Sequence, residues 1–172
     1  MSLTQERLKL LLDYDPQTGH FTWKTRTVKK HFDAIWNKRF SGKRAGHSHK
    51  MGYIVLCVER AKIMAHQAAW AYQSGDMPAG DIDHVNGIKS DNRICNLRVA
   101  TRSQNMANTS RRSSNTSGFK GVTMDRRTGR YIAAVHPNGK KRHLGVFDTA
   151  EAAHDAYVAG ALKYYGEFAR AS

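Results

Sequence analysis

The sequence predicts an α+β chain built as two modules, and two stretches carry that expectation. Residues 80–108 run in the order strand, loop, strand, helix: "IDHV", an Asx-rich turn, "ICNLRVA", then "TRSQNMANTS". The last third restarts with "FKGVTM", "RYIAAVH" and "KKRHLGVF", strand-like stretches separated by the turn signals "DRRTG" and "PNG" and followed by an alanine-rich helix. Between them lies "NTSRRSSNTSG", which has almost nothing apolar to bury and reads as a linker that could lie along a phosphate backbone. The expected division is a first domain over 1–108, a linker over 109–117 and a three-stranded antiparallel sheet with one helix over 118–170.

Each element has its own signal. Leu3, Leu8, Leu11 and Leu12 fall at helical spacing, with Thr4 as a candidate N-cap. "DPQTGHFTWK" reads as a turn entering a short strand. Residues 24–50 read as an irregular basic loop, with Trp36 and Phe40 as aromatic anchors along a phosphate track. "YIVLCVERAKIMAHQ" suggests a hairpin turning at Glu59-Arg60-Ala61 and leading into the helix "AHQAAWAYQSG". Thr101 and Gln104 have capping-box spacing, so a helix should start near Arg102 with Asn105 close to its first turn. Asp148 and Glu151 suggest a second capping box ahead of the final helix, and Gly166 should end it.

The formal charge is +14 over 172 residues, and it is unevenly spread. From Lys24 to Lys50, nine Lys or Arg face only Asp33; from Arg111 onward, eleven basic residues face five acidic ones. Residues 51–110 are nearly balanced, with six bases against five acids. Two basic blocks flanking a neutral centre make a polyanion the expected partner. Cys57 and Cys95 are too few for a four-cysteine zinc site or a disulfide framework, and both read as small buried hydrophobes. There is no run of membrane length and no signal peptide, so a soluble intracellular protein is expected.

The neutral centre is where the chemistry collects. "DIDHVNGIKSDNRICNLRVATRSQN" holds one histidine among many Asx residues. Asp81, Asn86, Asp91 and Asn92 read as turn formers. Adjacent residues in a regular strand face opposite ways, so Asp83 and His84 can serve one site only at a strand end or bend. His66 lies on an apolar helix face and reads as structural or supporting. His47 and His49 lack a convincing third ligand.

With these residues in order, the segment resembles the HNH endonucleases, particularly the phage and intron homing type. The resemblance rests on "MAHQAAWAYQSGDMPAGDIDHVNG" and "DNRICNLRVATRSQN", and covers most of residues 3–108. It implies a ββα-metal fold with His84 as general base and Asn96 tying the loop between the strands. Asp83 and Asn105 would each give an oxygen to one cation. Asparagine at 105 stands where the name-giving pattern has histidine. An all-oxygen pair favours Mg²⁺ or Mn²⁺ over Zn²⁺.

Residues 117–169 resemble the plant Apetala-two/ERF DNA-binding domain in "GFKGV", "RYIAAV", "HLGVFDTAEAAHDAY" and "YYGEFA". That implies a sheet laid in the DNA major groove with the helix behind it. Alternation then turns Tyr131, Ala133 and Val135 toward the helix, and Arg130, Ile132, Ala134 and His136 toward DNA. Lys141 and His143 join the DNA face, with Leu144 and Val146 in the core. Lys120, Thr123, Arg126 and Arg127 are strand-one and turn contacts, Lys120 and Lys141 suiting phosphates and Ile132 and Ala134 suiting thymine methyls.

The expected function is a homing-type, site-directed DNA endonuclease using Mg²⁺ or Mn²⁺ on double-stranded DNA. A monomer would nick; cutting both strands would need a transient dimer or two visits. The alternatives are a non-catalytic DNA-binding regulator and an RNA-associated basic protein.

Overall fold

The computed structural model describes residues 3–171. The chain forms two compact units, Met1–Val99 and Ala100–Ser172. No helix among the described residues is long and apolar enough to cross a membrane.

In the first unit, α1 (Gln5–Leu11) begins where the Thr4 side chain accepts a hydrogen bond from the Arg7 amide, and it buries Leu8 and Leu11. Strands β1 (Leu12–Asp15) and β2 (His20–Trp23) pair as an antiparallel hairpin. Its turn is held by the Asp15 carboxylate, which accepts from the Gln17 amide and the Thr18 hydroxyl. Gly19 in that turn has φ +71°, and a Cβ there would stand 2.4 Å from the Arg93 amide nitrogen. Backbone rests on backbone at that point, which only glycine allows.

The basic stretch after β2 differs from the irregular loop expected of it, because it holds α2 (His31–Phe40). The Asp33 carboxylate accepts from the Lys29 and Lys30 amides and closes the first turn. The Asn37 amide group bonds both the amide and the carbonyl of Arg26 and ties the helix to the irregular segment before it. This helix buries none of its residues, so no core-facing stripe distinguishes it from an irregular basic loop with aromatic anchors.

Strands β3 (His47–Ser48), β4 (Ile54–Val58) and β5 (Ala61–Met64) form an antiparallel sheet in that order. The β4–β5 hairpin turns on Glu59 and Arg60, both at positive φ, as a tight two-residue connection requires. Helix α3 (Ala65–Ser74) follows and presents Ala65, Ala68, Ala69 and Ala71 to a core shared with Leu8, Leu12, Phe21, Leu56 and Val58. Strand β6 (Asp81–His84) pairs with β7 (Leu97–Ala100), and Ile94–Asn96 form a single 3₁₀ turn where the second strand was expected to begin. Asp81 lies in the strand, not in a turn.

Both cysteines are exposed, against expectation. Leu56 and Val58 take the core face of β4, which turns Cys57 outward, and Cys95 projects from the 3₁₀ turn.

The second unit opens with α4 (Arg102–Asn108), capped by a reciprocal Thr101–Gln104 box. Strands β8 (Val122–Met124), β9 (Tyr131–Val135) and β10 (Arg142–Phe147) form a three-stranded antiparallel sheet with β9 central. Helix α5 (Ala150–Tyr165) packs on one face through Ala153, Tyr157 and Ala161. The approach is close: a Cβ on Gly160 would sit 2.6 Å from the Leu144 side chain. The N-cap of α5 is Thr149, one residue later than expected, its hydroxyl accepting from the Ala152 amide, while Asp148 pairs with Arg130 at 2.8 Å. A β-bulge between His143 and Gly145 shifts the register of β10. Leu144 and Phe147 therefore pack on the core, and Val146, expected inside, is exposed. Residues 115–117 are knitted to the sheet: the Asn115 amide donates to the carbonyls of Phe119 and Val122, and the Ser117 hydroxyl donates to that of Val122.

Candidate active site

Asp83 and His84 occupy the last two positions of β6, and both are buried, at 4% and 5% exposure. Beyond them the chain turns back through residues 85–96. Asn96 joins the two sides of that loop: its Oδ1 accepts from the Asn86 amide at 3.0 Å, and its Nδ2 donates to the Asp91 carbonyl at 2.8 Å. The Asn86 side chain donates to Asp91 Oδ2 at 2.7 Å. Arg93 grips the same carboxylate, at 2.6 Å from NH2 to Oδ2, and holds the Asp91 pKa down at about 2. The loop is supported from behind by the β1–β2 hairpin, where the Tyr14 hydroxyl donates to the Asn92 carbonyl at 2.7 Å and Gly19 touches the backbone.

Asn92, which looked like one more turn former, is buried and meets the imidazole: its Oδ1 lies 3.3 Å from His84 Nε2. Its Nδ2 donates to the Ser90 carbonyl, which fixes the amide with its oxygen toward the ring. The oxygen can only accept, so Nε2 carries the proton and Nδ1 carries the lone pair of the neutral ring. Burial lowers the His84 pKa, with the Asn92 bond and the Asp83 charge opposing that shift, so the ring is neutral at physiological pH. The site therefore holds a neutral imidazole whose tautomer is set by a second side chain.

Asp83 Oδ2 accepts from Arg98 Nε at 3.0 Å and from its NH2 at 2.9 Å, and both side chains are shielded from solvent. Arg98 comes from β7, across the two-stranded sheet. His66, on α3, stands edge-on to His84 with ring centroids 5.0 Å apart, and Tyr53 lies against both rings. Burial, aided by His84, pushes the His66 pKa down to about 4, and its Nδ1 is buried with no hydrogen-bond partner. The sequence marks neither Asn92 nor Tyr53 as part of the site. Asn92 is one of several Asx residues in a loop, and Tyr53 is about thirty positions upstream.

Asn105 falls on α4, within the second unit. Among the described residues no group of three or more His, Cys, Asp or Glu side chains is placed to hold a metal ion. A buried aspartate with amide oxygens is nevertheless a hard, oxygen-only donor set. Mg²⁺ commonly takes just one or two carboxylates and completes its shell with water and substrate phosphate. By type, carboxylate and amide oxygens suit a hard cation such as Mg²⁺ or Mn²⁺.

On the second unit's sheet, Thr123 lies opposite Ile132, and His143 opposite Ala134. These define the face turned away from α5. Arg126, Arg127, His136 and Lys141 are exposed, and Arg130 is committed to Asp148. Ile132 and Ala134 border a cavity of about 680 Å³, lined also by Ser103 and Met106 of α4 and by Arg111 and Arg112. Ala134 itself is buried. Lys120 has a different setting from the open phosphate contact expected of it. Its ammonium donates to the carbonyls of Ala107 at 2.5 Å and Arg170 at 2.8 Å, and burial pushes its pKa down to about 8.

The HNH endonuclease family matches residues 64–107, from the end of β5 into α4. Protein 3.8 of Escherichia phage T7 is 30% identical over 106 residues, covering 61% of this chain and 87% of that protein. APETALA2-like protein 2 of Oryza sativa subsp. indica and the AP2-like ethylene-responsive transcription factor TOE2 of Arabidopsis thaliana are each 47% identical over 53 residues, 31% of this chain. The match spans only 12% and 11% of those two plant proteins. No solved structure matches.

Proposed function

We propose, from the premise that this chain belongs to the HNH endonuclease family and carries a C-terminal AP2-like region, that it is a homing-type, site-directed DNA endonuclease. The observation that carries the proposal is the buried Asp83–His84 pair with the imidazole held neutral by burial and oriented by Asn92.

His84 acts as the general base. With the proton on Nε2, it is Nδ1 that takes a proton from the attacking water. Asn92 holds the ring by its far nitrogen and stabilises the imidazolium that results, while Asn96 keeps the loop from opening as charge develops. His66 and Tyr53 pack against the ring and help to bury it. Asp83 and Asn105 would hold one Mg²⁺ or Mn²⁺, which when bound supplies Lewis-acid stabilisation of the charge on the phosphate and the leaving oxygen. Arg98 gives Asp83 a countercharge in the free protein.

The domain arrangement proposed is a nuclease domain over 1–108, a linker over 109–117 and a DNA-holding domain over 118–170. In the latter, Thr123, Arg130, Ile132, Ala134, His136 and His143 would face the DNA, with Lys141 suited to a phosphate and Arg126 and Arg127 as turn contacts. Two modest binding surfaces on one chain gain from effective concentration and address a longer site than either alone. With one His84 per chain, a monomer nicks.

One observation favours the second reading, a non-catalytic DNA-binding regulator: Asp83 is neutralised by Arg98. Selection from random duplexes, followed by incubation of the selected target in a supercoiled plasmid, decides between them. Nicking with Mg²⁺ or Mn²⁺ but not EDTA, lost in His84→Ala while binding persists, is expected. A protein that binds the target and leaves it intact with either ion is the regulator.

A further inference from the structure

Helix α2 has two unlike sides. On one side it is fixed: Asn37 bonds the Arg26 backbone twice, Trp36 packs edge-on against Trp23 at 5.4 Å, and the Arg26 guanidinium lies 3.6 Å over the Trp36 ring. On the other side it carries large apolar groups in water. Phe32 and Ile35 are 67% and 52% exposed, and Val28, four residues before Phe32, is 58% exposed. Phe32 and Ile35, three apart on α2, share one face that continues to Arg39, and Val28 is exposed in the irregular segment just ahead of the helix. Single exposed hydrophobes need no explanation, but an adjacent pair on a helix that buries nothing, with a third just ahead of it, does.

The surroundings say what fits it. Lys29, Lys30, Lys38 and Arg39 border the ridge, within the stretch where nine basic residues face one acid. An apolar ridge inside a cationic margin is complementary to a polyanion that can offer an apolar interior. Duplex DNA does so when a base step opens. The minor groove is about 6 Å wide and a helix with side chains about 10–12 Å across, so only the ridge side chains can enter. Such entry pries a base step apart and bends the duplex away from the groove by tens of degrees.

We propose that α2 is a DNA-bending wedge: Phe32 and Ile35 enter the minor groove at a base step while Lys29, Lys30, Lys38 and Arg39 grip the flanking phosphates. The proposal rests on the reading of duplex DNA as the partner, and it is independent of whether the chain cuts. Bending would open the helix near the nuclease site and would favour flexible pyrimidine–purine steps.

The test uses the full chain in EDTA, so that nothing is cut, with a 30-bp mixed-sequence duplex (about three helical turns) carrying a donor and an acceptor at its ends. Wild type should raise the end-to-end energy transfer at saturation. Phe32→Ala/Ile35→Ala should lose that rise and bind about tenfold more weakly, with an unchanged log–log salt slope. Lys29→Ala/Lys38→Ala should lower the slope by about two and still bend at saturation. Both pairs are exposed, and unchanged circular dichroism and thermal midpoints check that folding is intact. Wild type that binds without bending, or an apolar double variant that bends fully, overturns the wedge alone. Absence of any salt-dependent binding sinks the DNA reading with it. If the ridge instead governs binding to phosphatidylglycerol vesicles, or a concentration-dependent dimer, the wedge is wrong.

Discussion

Replacing Lys120 by methionine keeps the length of the side chain and removes the ammonium that joins the Ala107 and Arg170 carbonyls. A hydrogen bond to a charged group is worth about 1.5–3 kcal/mol net when buried. Lys120 is only half-buried, so solvent recovers part of each, and about 1–3 kcal/mol for the pair is the expected loss. In a unit of this size, 1 kcal/mol moves the midpoint by roughly 4–8 °C, so the C-terminal transition should fall by about 4–24 °C. Differential scanning calorimetry reads that directly. DNA affinity measured across a salt series reads the alternative. A lysine that meets a phosphate contributes about 0.9 to the log–log slope, whereas one spent on two carbonyls contributes nothing. A slope that falls by about one while the midpoint stays put would refute the clamp and return Lys120 to the phosphate track.

Three further perturbations test the site. Asn92→Ala removes the acceptor that fixes the His84 tautomer and should lower kcat about 10- to 100-fold with DNA affinity unchanged, read by plasmid nicking under saturating protein. The His66 imidazole has a folded pKa of about 4 against 6.5 in the unfolded chain. Between those values the unfolded state holds a proton that the folded state does not, so stability falls as pH drops from 6.5 toward 4, by roughly 3 kcal/mol. His66→Gln should flatten that stretch of a urea-midpoint-versus-pH curve. Arg98→Met strips the countercharge from buried Asp83 and should cost about 3–5 kcal/mol in EDTA. Part of the loss should return with millimolar Mg²⁺, whereas a metal-independent deficit would remove Asp83 from the cation site.

The sequence reveals elements that bury a periodic face or start with a cap. Leu8 and Leu11 announce α1, the Thr101–Gln104 box places the start of α4, and the alanines of α5 foretell its close approach to the sheet. Adjacency requires a strand end or bend if Asp83 and His84 are to serve one site, and the two residues do close β6. Features that depend on distant partners stay hidden. Helix α2 is fixed by Asn37 and by aromatic contacts and not by a buried stripe. The bulge at His143/Gly145 inverts the facing of Val146, which strict alternation places inside. Asn92 and Lys120 take their roles from partners that no local spacing encodes.

The contact at Gly19 bears on how portable this chemistry is. The family match begins at residue 64, yet the loop that holds His84 leans on a hairpin turn more than seventy positions earlier. An excised 64–107 fragment would keep every motif letter and lose the surface on which Asn92 is seated. Grafting this HNH region onto another module should therefore start at α1, and a lengthened turn between Asp15 and His20 should disturb the seat of Asn92, and with it the proposed cutting, from outside the motif altogether.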